Sequence, residues 1–140
     1  MGCFYCDEHH EGRDAVMLPI GEMKGGFLYL FRDQVHRGRC VLALKSHRKE
    51  FYECTPQEQA DIMEDLARTS RAIQELWGCD KINFGSFGDT NPHFHFHIVP
   101  KYKDGPEFGG NFAINYAHPY YPSEAEYQEI IGALKTKLGI

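Results

Sequence analysis

Apolar and polar positions follow two rhythms along this chain. Phe27-Leu28-Tyr29-Leu30-Phe31 and Arg39-Cys40-Val41-Leu42-Ala43-Leu44 are short runs rich in aromatic and aliphatic residues. The polar stretch Asp33-Gln34-Val35-His36-Arg37-Gly38 lies between them, so they read as two strands of an antiparallel unit. Gly25-Gly26 ends an opening segment. After the second strand the period lengthens: Ile62, Met63, Leu66, Ile73, Leu76 and Trp77 form one stripe of a helix. Thr55-Pro56-Gln57-Glu58 opens that helix, with Thr as N-cap, Pro in the first helical position and Glu three residues past the cap. Gly78 stands where a helix ends on a left-handed residue. Such a stripe is core packing before it is a groove for a partner.

Lys81-Ile82-Asn83-Phe84 reads as a third strand, and residues 85–92 as the loop that delivers a fourth. A turn-rich loop follows at Lys103-Asp104-Gly105-Pro106-Glu107-Phe108-Gly109-Gly110. Ser123-x-x-Glu126 then caps a final helix that turns Tyr127, Ile130, Ile131, Leu134 and Leu138 inward. Strands then helix, repeated and joined by tight turns, make an α+β domain: an antiparallel sheet with helices packed on it.

With 140 residues the chain is one domain, spanning 1–140, and long enough for a real core. A net charge of −5 leaves no broad basic footprint for a nucleic-acid polymer, although a nucleotide needs only local donors. No long apolar run suggests a membrane span, and Met1-Gly2-Cys3-Phe4-Tyr5-Cys6 lacks the regions of a signal peptide. Five cysteines, an odd number, fit a reducing cytoplasm.

The candidate chemistry lies in Asn91-Pro92-His93-Phe94-His95-Phe96-His97-Ile98-Val99-Pro100. Alternate side chains of a strand point to opposite faces, so His93, His95 and His97 share one face while Phe94, Phe96 and Ile98 share a core face. A lone histidine is usually structural, but a row of imidazoles is unusual where Thr, Lys or Glu would serve. With about 3.3 Å of rise per residue, the outer two rings stand about 13 Å apart at Cα. One ion with bonds of about 2.0–2.1 Å cannot easily collect all three. The rings therefore have different jobs.

This string resembles the signature of the histidine triad (HIT) family, His-φ-His-φ-His-φ-φ with φ apolar, and matches it at every position. The resemblance covers most of the chain, roughly Cys3 to Lys103, and implies an antiparallel sheet with helices against it and a homodimer. It also implies a nucleotide hydrolase in which His95 attacks the α-phosphorus and carries a covalent nucleotidyl intermediate, while His97 donates to phosphate oxygens. An imidazole titrating near about 6.5 supplies a neutral nucleophilic nitrogen at neutral pH. Covalent catalysis then splits one displacement into two. No catalytic cofactor is implied.

Cys3-x-x-Cys6 alone is compatible with unpaired thiols, a disulfide or half a metal site. In the HIT resemblance, and in the related galactose-1-phosphate uridylyltransferases, such a pair is completed by two histidines into a structural zinc site. The histidine after the second strand is His47, in Leu44-Lys45-Ser46-His47, and the first of the triad is His93. Cys3, Cys6, His47 and His93 are therefore the expected ligands, leaving His95 and His97 for phosphate. His9-His10 beside Cys6 reads as a solvated turn, His36 and His118 carry no role, and Cys40, Cys54 and Cys79 read as buried small hydrophobes.

Asn83 and Thr90 resemble the family's donors to phosphate and leaving group, suited to an anion in a chain without a local arginine cluster. Two positions depart from the pattern. Asp89 stands where HIT hydrolases carry Gln, and a carboxylate there would repel phosphate, so it turns away, is protonated or marks an altered substrate. Phe31 occupies the place of the ribose-binding acid, with Asp33 nearby as a substitute; Leu30 and Phe31 offer an apolar wall for a base or simply core. The Asn-Pro-His entry is similar to the uridylyltransferase branch, whose triad ends in Gln, whereas His97 favours hydrolysis. Transfer of the nucleotidyl group to phosphate or a sugar phosphate, nucleotide binding with little turnover, and a metal-dependent hydrolase using the histidine row are the other readings.

Overall fold

A computed structural model describes residues 2–140. Five strands form one antiparallel sheet: β1 (Met17–Glu22), β2 (Gly26–Phe31), β3 (Cys40–Leu44), β4 (Lys81–Gly85) and β5 (His95–Lys101). Their order is β1-β2-β3-β5-β4, which places β3 and β5 inside the sheet and β1 and β4 at its edges. Three helices accompany it: α1 (Glu11–Val16), α2 (Pro56–Trp77) and α3 (Glu124–Leu138). The α+β architecture and the antiparallel pairing of the first two predicted strands are as the hydrophobic pattern requires.

The middle of the sheet is buried on both faces because β3 has apolar side chains at every position. Leu28, Leu30, Cys40, Leu42, Leu44 and Ile98 meet α2 and α3 on one face. Tyr29, Phe31, Val41 and Ala43 point the other way, joined by Tyr5 and Met17 from the amino-terminal segment. In β5, His97 pairs with Val41 and His95 with Ala43, so both imidazoles belong to this second, thinner face. Phe94 and Ile98 belong to the first.

Helix α2 begins as expected: the Thr55 side chain accepts from the Glu58 amide, Glu58 accepts from the Thr55 amide, and Pro56 follows the cap. Gly78 closes it at φ 66°. Its inner stripe differs from the expected one. Met63 is exposed, whereas Asp65, Thr69 and Ala72 are buried with Ile62, Leu66 and Ile73. Asp65 faces inward because the β1–β2 turn needs it: Oδ1 accepts from the Lys24 amide and Oδ2 from the Gly25 amide at 2.6 Å. A Cβ on Gly25 would stand 2.7 Å from the Ile62 nitrogen, so the turn approaches the helix too closely for any side chain. All five residues expected inward on α3 are buried.

Two elements of the opening segment have no clear signature in the hydrophobic pattern. Strand β1 contains Pro19 and Gly21, and its register shifts between them. Proline and a bulge are tolerated because β1 is an edge strand with no partner beyond it. Helix α1 has only six residues and is capped by His10, whose Nδ1 accepts from the Arg13 amide at 3.2 Å. No helix among the described residues is long and apolar enough to cross a membrane.

Candidate functional site

The histidine strand starts later than the sequence pattern suggests. His93 and Phe94 precede β5, which opens at His95. His93 is therefore free of the strand's alternation and turns to different partners, although all three imidazoles are buried.

Each ring has one nitrogen fixed by its neighbours, and this decides what the other can do. The His93 Nε2 lies 2.7 Å from the Leu44 carbonyl oxygen. A carbonyl only accepts, so Nε2 carries the proton and Nδ1 is bare. That bare Nδ1 lies 3.3 Å from Cys3 Sγ, 3.4 Å from Cys6 Sγ and 3.2 Å from His47 Nδ1. Cys6 Sγ is in turn 3.5 Å from His47 Nδ1. The four ligand atoms all lie within 4.8 Å of one another. Bonds of about 2.0–2.3 Å to a central ion give tetrahedral edges of about 3.3–3.8 Å, so the four side chains form a cluster of the right size and donor type for zinc. Its second shell is present too: the Leu44 carbonyl fixes His93 in the tautomer a metal requires.

His95 has the reverse tautomer. Its Nδ1 lies 2.7 Å from the His93 carbonyl oxygen and must donate, which leaves Nε2 with an unshared pair. The Tyr5 ring packs against one side with centroids 4.9 Å apart. Burial lowers the pKa of His95 below the ordinary imidazole value, so the ring stays neutral at neutral pH. The result is a neutral imidazole with a bare Nε2, the form a nucleophile needs.

His97 lies next to His95, with centroids 5.6 Å apart. Phe31, Phe87 and Phe112 surround it at 5.9, 6.4 and 6.2 Å. Its Nδ1 faces Arg39 Nη2 at 3.2 Å. Burial, followed by the Arg39 charge, pushes its pKa down to about 3. Arg39, the first residue of the second apolar run in the sequence, is a fully buried cation beside the triad. The sequence showed no local arginine cluster, and it is a single arginine immediately before β3 that reaches the triad.

The remaining candidates divide. Phe31 lies on the histidine face, against His97 and under Arg39, whereas Leu30 sits in the opposite core and cannot reach the site. Asn83 pairs with Val99 in β4, which puts it on the face of His97; with Phe87, Phe112 and Asn111 it lines an open cleft of about 700 Å³. Asp89 and Thr90 lie exposed in the β4–β5 loop, and no hydrogen bond among the described residues ties either to a histidine. Asp33 is not a free acid: its Oδ1 accepts from the amides of Val35 and Tyr120. His36, expected in a turn without a role, is buried with its Nε2 2.8 Å from Glu107 Oε1. Cys40, Cys54 and Cys79 are buried and free, as expected.

No family model matches the chain. A curated protein of Bacillus subtilis (strain 168), described as Protein hit, is 26% identical over 118 residues, which is 81% of each chain. Among solved structures, a histidine triad protein from Bradyrhizobium japonicum superposes with a TM-score of 0.84 at 23% identity, covering 94% of this chain and 97% of that one. A Zn-bound histidine triad family protein from Mycobacterium smegmatis gives 0.69 at 22% identity over 99% and 94% of the two chains. The fold is thus that of the histidine triad (HIT) proteins, and its motif stands on the face where the triad rings converge.

Proposed function

We propose that this chain is a HIT-family nucleotide hydrolase acting at the α-phosphate of a nucleoside phosphoramidate, dinucleoside polyphosphate or nucleotidyl conjugate. The observation that carries this reading is the hydrogen-bond pattern: His95 Nδ1 faces the His93 carbonyl and His97 Nδ1 faces the Arg39 guanidinium, which leaves Nε2 bare on His95 and protonated on His97. The His95 Nε2 pair attacks the α-phosphorus, the bond from phosphorus to the leaving group breaks, and that group departs with its electron pair and takes up a proton. Water then attacks the phosphorus and gives up a proton to solvent, which balances the one taken up by the leaving group; the P–N bond returns its electrons to His95, and nucleoside monophosphate is released. His97 Nε2–H donates to a phosphate oxygen, with Asn83 and Thr90 as further donors and Phe31 as an apolar wall.

Cys3, Cys6, His47 and His93 would hold zinc, in keeping with their geometry and with the Zn-bound description of the Mycobacterium smegmatis protein. There the ion would fix the start of β5 and supply folding free energy. The same reading makes the protein a cytoplasmic homodimer acting on small molecules.

A single-turnover assay with adenosine and guanosine phosphoramidates and dinucleoside polyphosphates tests the proposal. The wild type should accumulate an adduct of one nucleoside monophosphate on His95, and His95→Ala should lose both adduct and turnover. Normal turnover in His95→Ala, or an adduct on His97, would sink it. Labelled inorganic phosphate in the same assay separates hydrolysis from transfer, because transfer would yield the labelled diphosphate.

A further inference from the structure

Arg39 is an expensive residue to bury. Its side chain is fully enclosed, and among the described residues no carboxylate forms an ion pair with it and its Nε has no hydrogen-bond partner. A buried charge without a directly paired counter-ion is destabilising unless other contacts replace its lost hydration. Burial lowers its pKa to about 10, which still leaves it charged at neutral pH.

What holds Arg39 is a cage built from three parts of the chain. Its guanidinium stacks on Phe31 at 4.1 Å and lies 5.3 Å from the Phe112 ring. Nη1 donates to the Ala113 carbonyl and Nη2 to the Ile114 carbonyl, in the loop before α3. That loop is itself pinned from inside. Glu107 sits in the left-handed region at φ 63° and accepts from the Ala113 amide through Oε2, while its Oε1 meets His36. The buried Lys101 ammonium donates to the carbonyls of Glu107 and Gly110. The remaining Arg39 contact is with His97 Nδ1.

A guanidinium has five N–H groups and no acceptor, so the Nδ1 it faces must accept. We propose that Arg39 is a positioning residue for the triad: its Nη2–H holds His97 Nδ1 bare and so presents Nε2–H to the phosphate. Among the described residues no other hydrogen bond reaches Nδ1. The walls from β2, the β4–β5 loop and the loop before α3 are Phe31, Phe87 and Phe112, and the neighbour on its own strand is His95. Asp33 and Glu107, the carboxylates whose charge reaches Arg39, are committed to backbone amides and His36. The positive charge also disfavours a second proton on the ring, keeping His97 a neutral donor.

This inference rests on the role of His97 proposed above, and its test does not depend on turnover. Nitrogen NMR of the unliganded full chain labelled at histidine reads the proton position directly. In the wild type, His97 should show a bare Nδ1 and a protonated Nε2 throughout the neutral range. R39M should lose that fixed state, giving exchange between tautomers and a titration moved upward toward the ordinary imidazole value. R39K, which keeps a charged donor, should restore the bare Nδ1. A wild-type His97 protonated at Nδ1 overturns the inference without any variant. So does an R39M spectrum identical to wild type, even if R39M is less stable, because Arg39 would then only fill space. A protein with the expected His97 spectrum but no phosphoramidate turnover would refute the hydrolase reading and leave this one standing.

Discussion

The three histidines share a residue type and a sequence period, yet the structure gives each a different chemistry through the group on one nitrogen. The Leu44 carbonyl frees His93 Nδ1 for the cysteine cluster, the His93 carbonyl frees His95 Nε2, and Arg39 leaves His97 with a proton to donate. The low pKa of His97 has a consequence for stability. Between about 3 and the ordinary value of 6.5 the unfolded chain binds a proton at this position that the folded chain refuses. Stability from this residue therefore rises with pH across that window, is complete above it, and is lost as acid is added through it. Urea midpoints measured from neutral pH down to about pH 4 should fall, and His97→Gln should flatten the slope. An unchanged slope in His97→Gln would assign the acid sensitivity elsewhere.

At the scale of elements, local signals placed boundaries well and interiors less well. The capping box at Thr55 and Glu58, the glycine stop at Gly78 and the Ser123 cap depend on neighbours within four residues. Strand β1 was hidden because Pro19 and Gly21 break its alternation, a break only an edge strand with a bulge can carry. Asp65 was hidden because a carboxylate on a helix reads as solvated. Its burial is explained only by the two amides of the β1–β2 turn that it accepts from, and burial raises its pKa despite them. Asp65→Ala should leave both amides without a partner and cost about 1–3 kcal/mol in urea unfolding, with Asp65→Asn milder because one acceptor remains. A loss below about 0.5 kcal/mol would mean that water replaces the carboxylate there.

For the whole molecule, the Cys3, Cys6, His47 and His93 cluster joins the amino-terminal segment, the end of β3 and the start of β5. An ion there would close loops that reach 90 residues, from Cys3 to His93, and would fasten the segment carrying Tyr5 over His95. Protein purified without chelators should contain one zinc per chain, and Cys6→Ser should lower both zinc content and thermal midpoint. Elemental analysis showing no zinc in undepleted wild type would remove the metal from the account. The same tertiary closure explains the site's third histidine: the loop before α3 returns across the sheet to hold Arg39 with the carbonyls of Ala113 and Ile114.

Period and contacts within a few residues were enough for the α+β class, two neighbouring strands, both long helices with their N-caps, and the triad string. Cys3, Cys6, His47 and His93 came as ligands through resemblance, and the geometry brings the four together. Only the tertiary structure decided that His93 leaves the strand, that Asp33 serves backbone amides, and that Asp89 and Thr90 stay exposed. The burial of Arg39, Lys101 and His36 belongs there as well. A polar residue's place depends on which distant donors and acceptors reach it. The proton on an imidazole is set by a carbonyl or guanidinium that the fold, not the sequence period, places at hydrogen-bond distance.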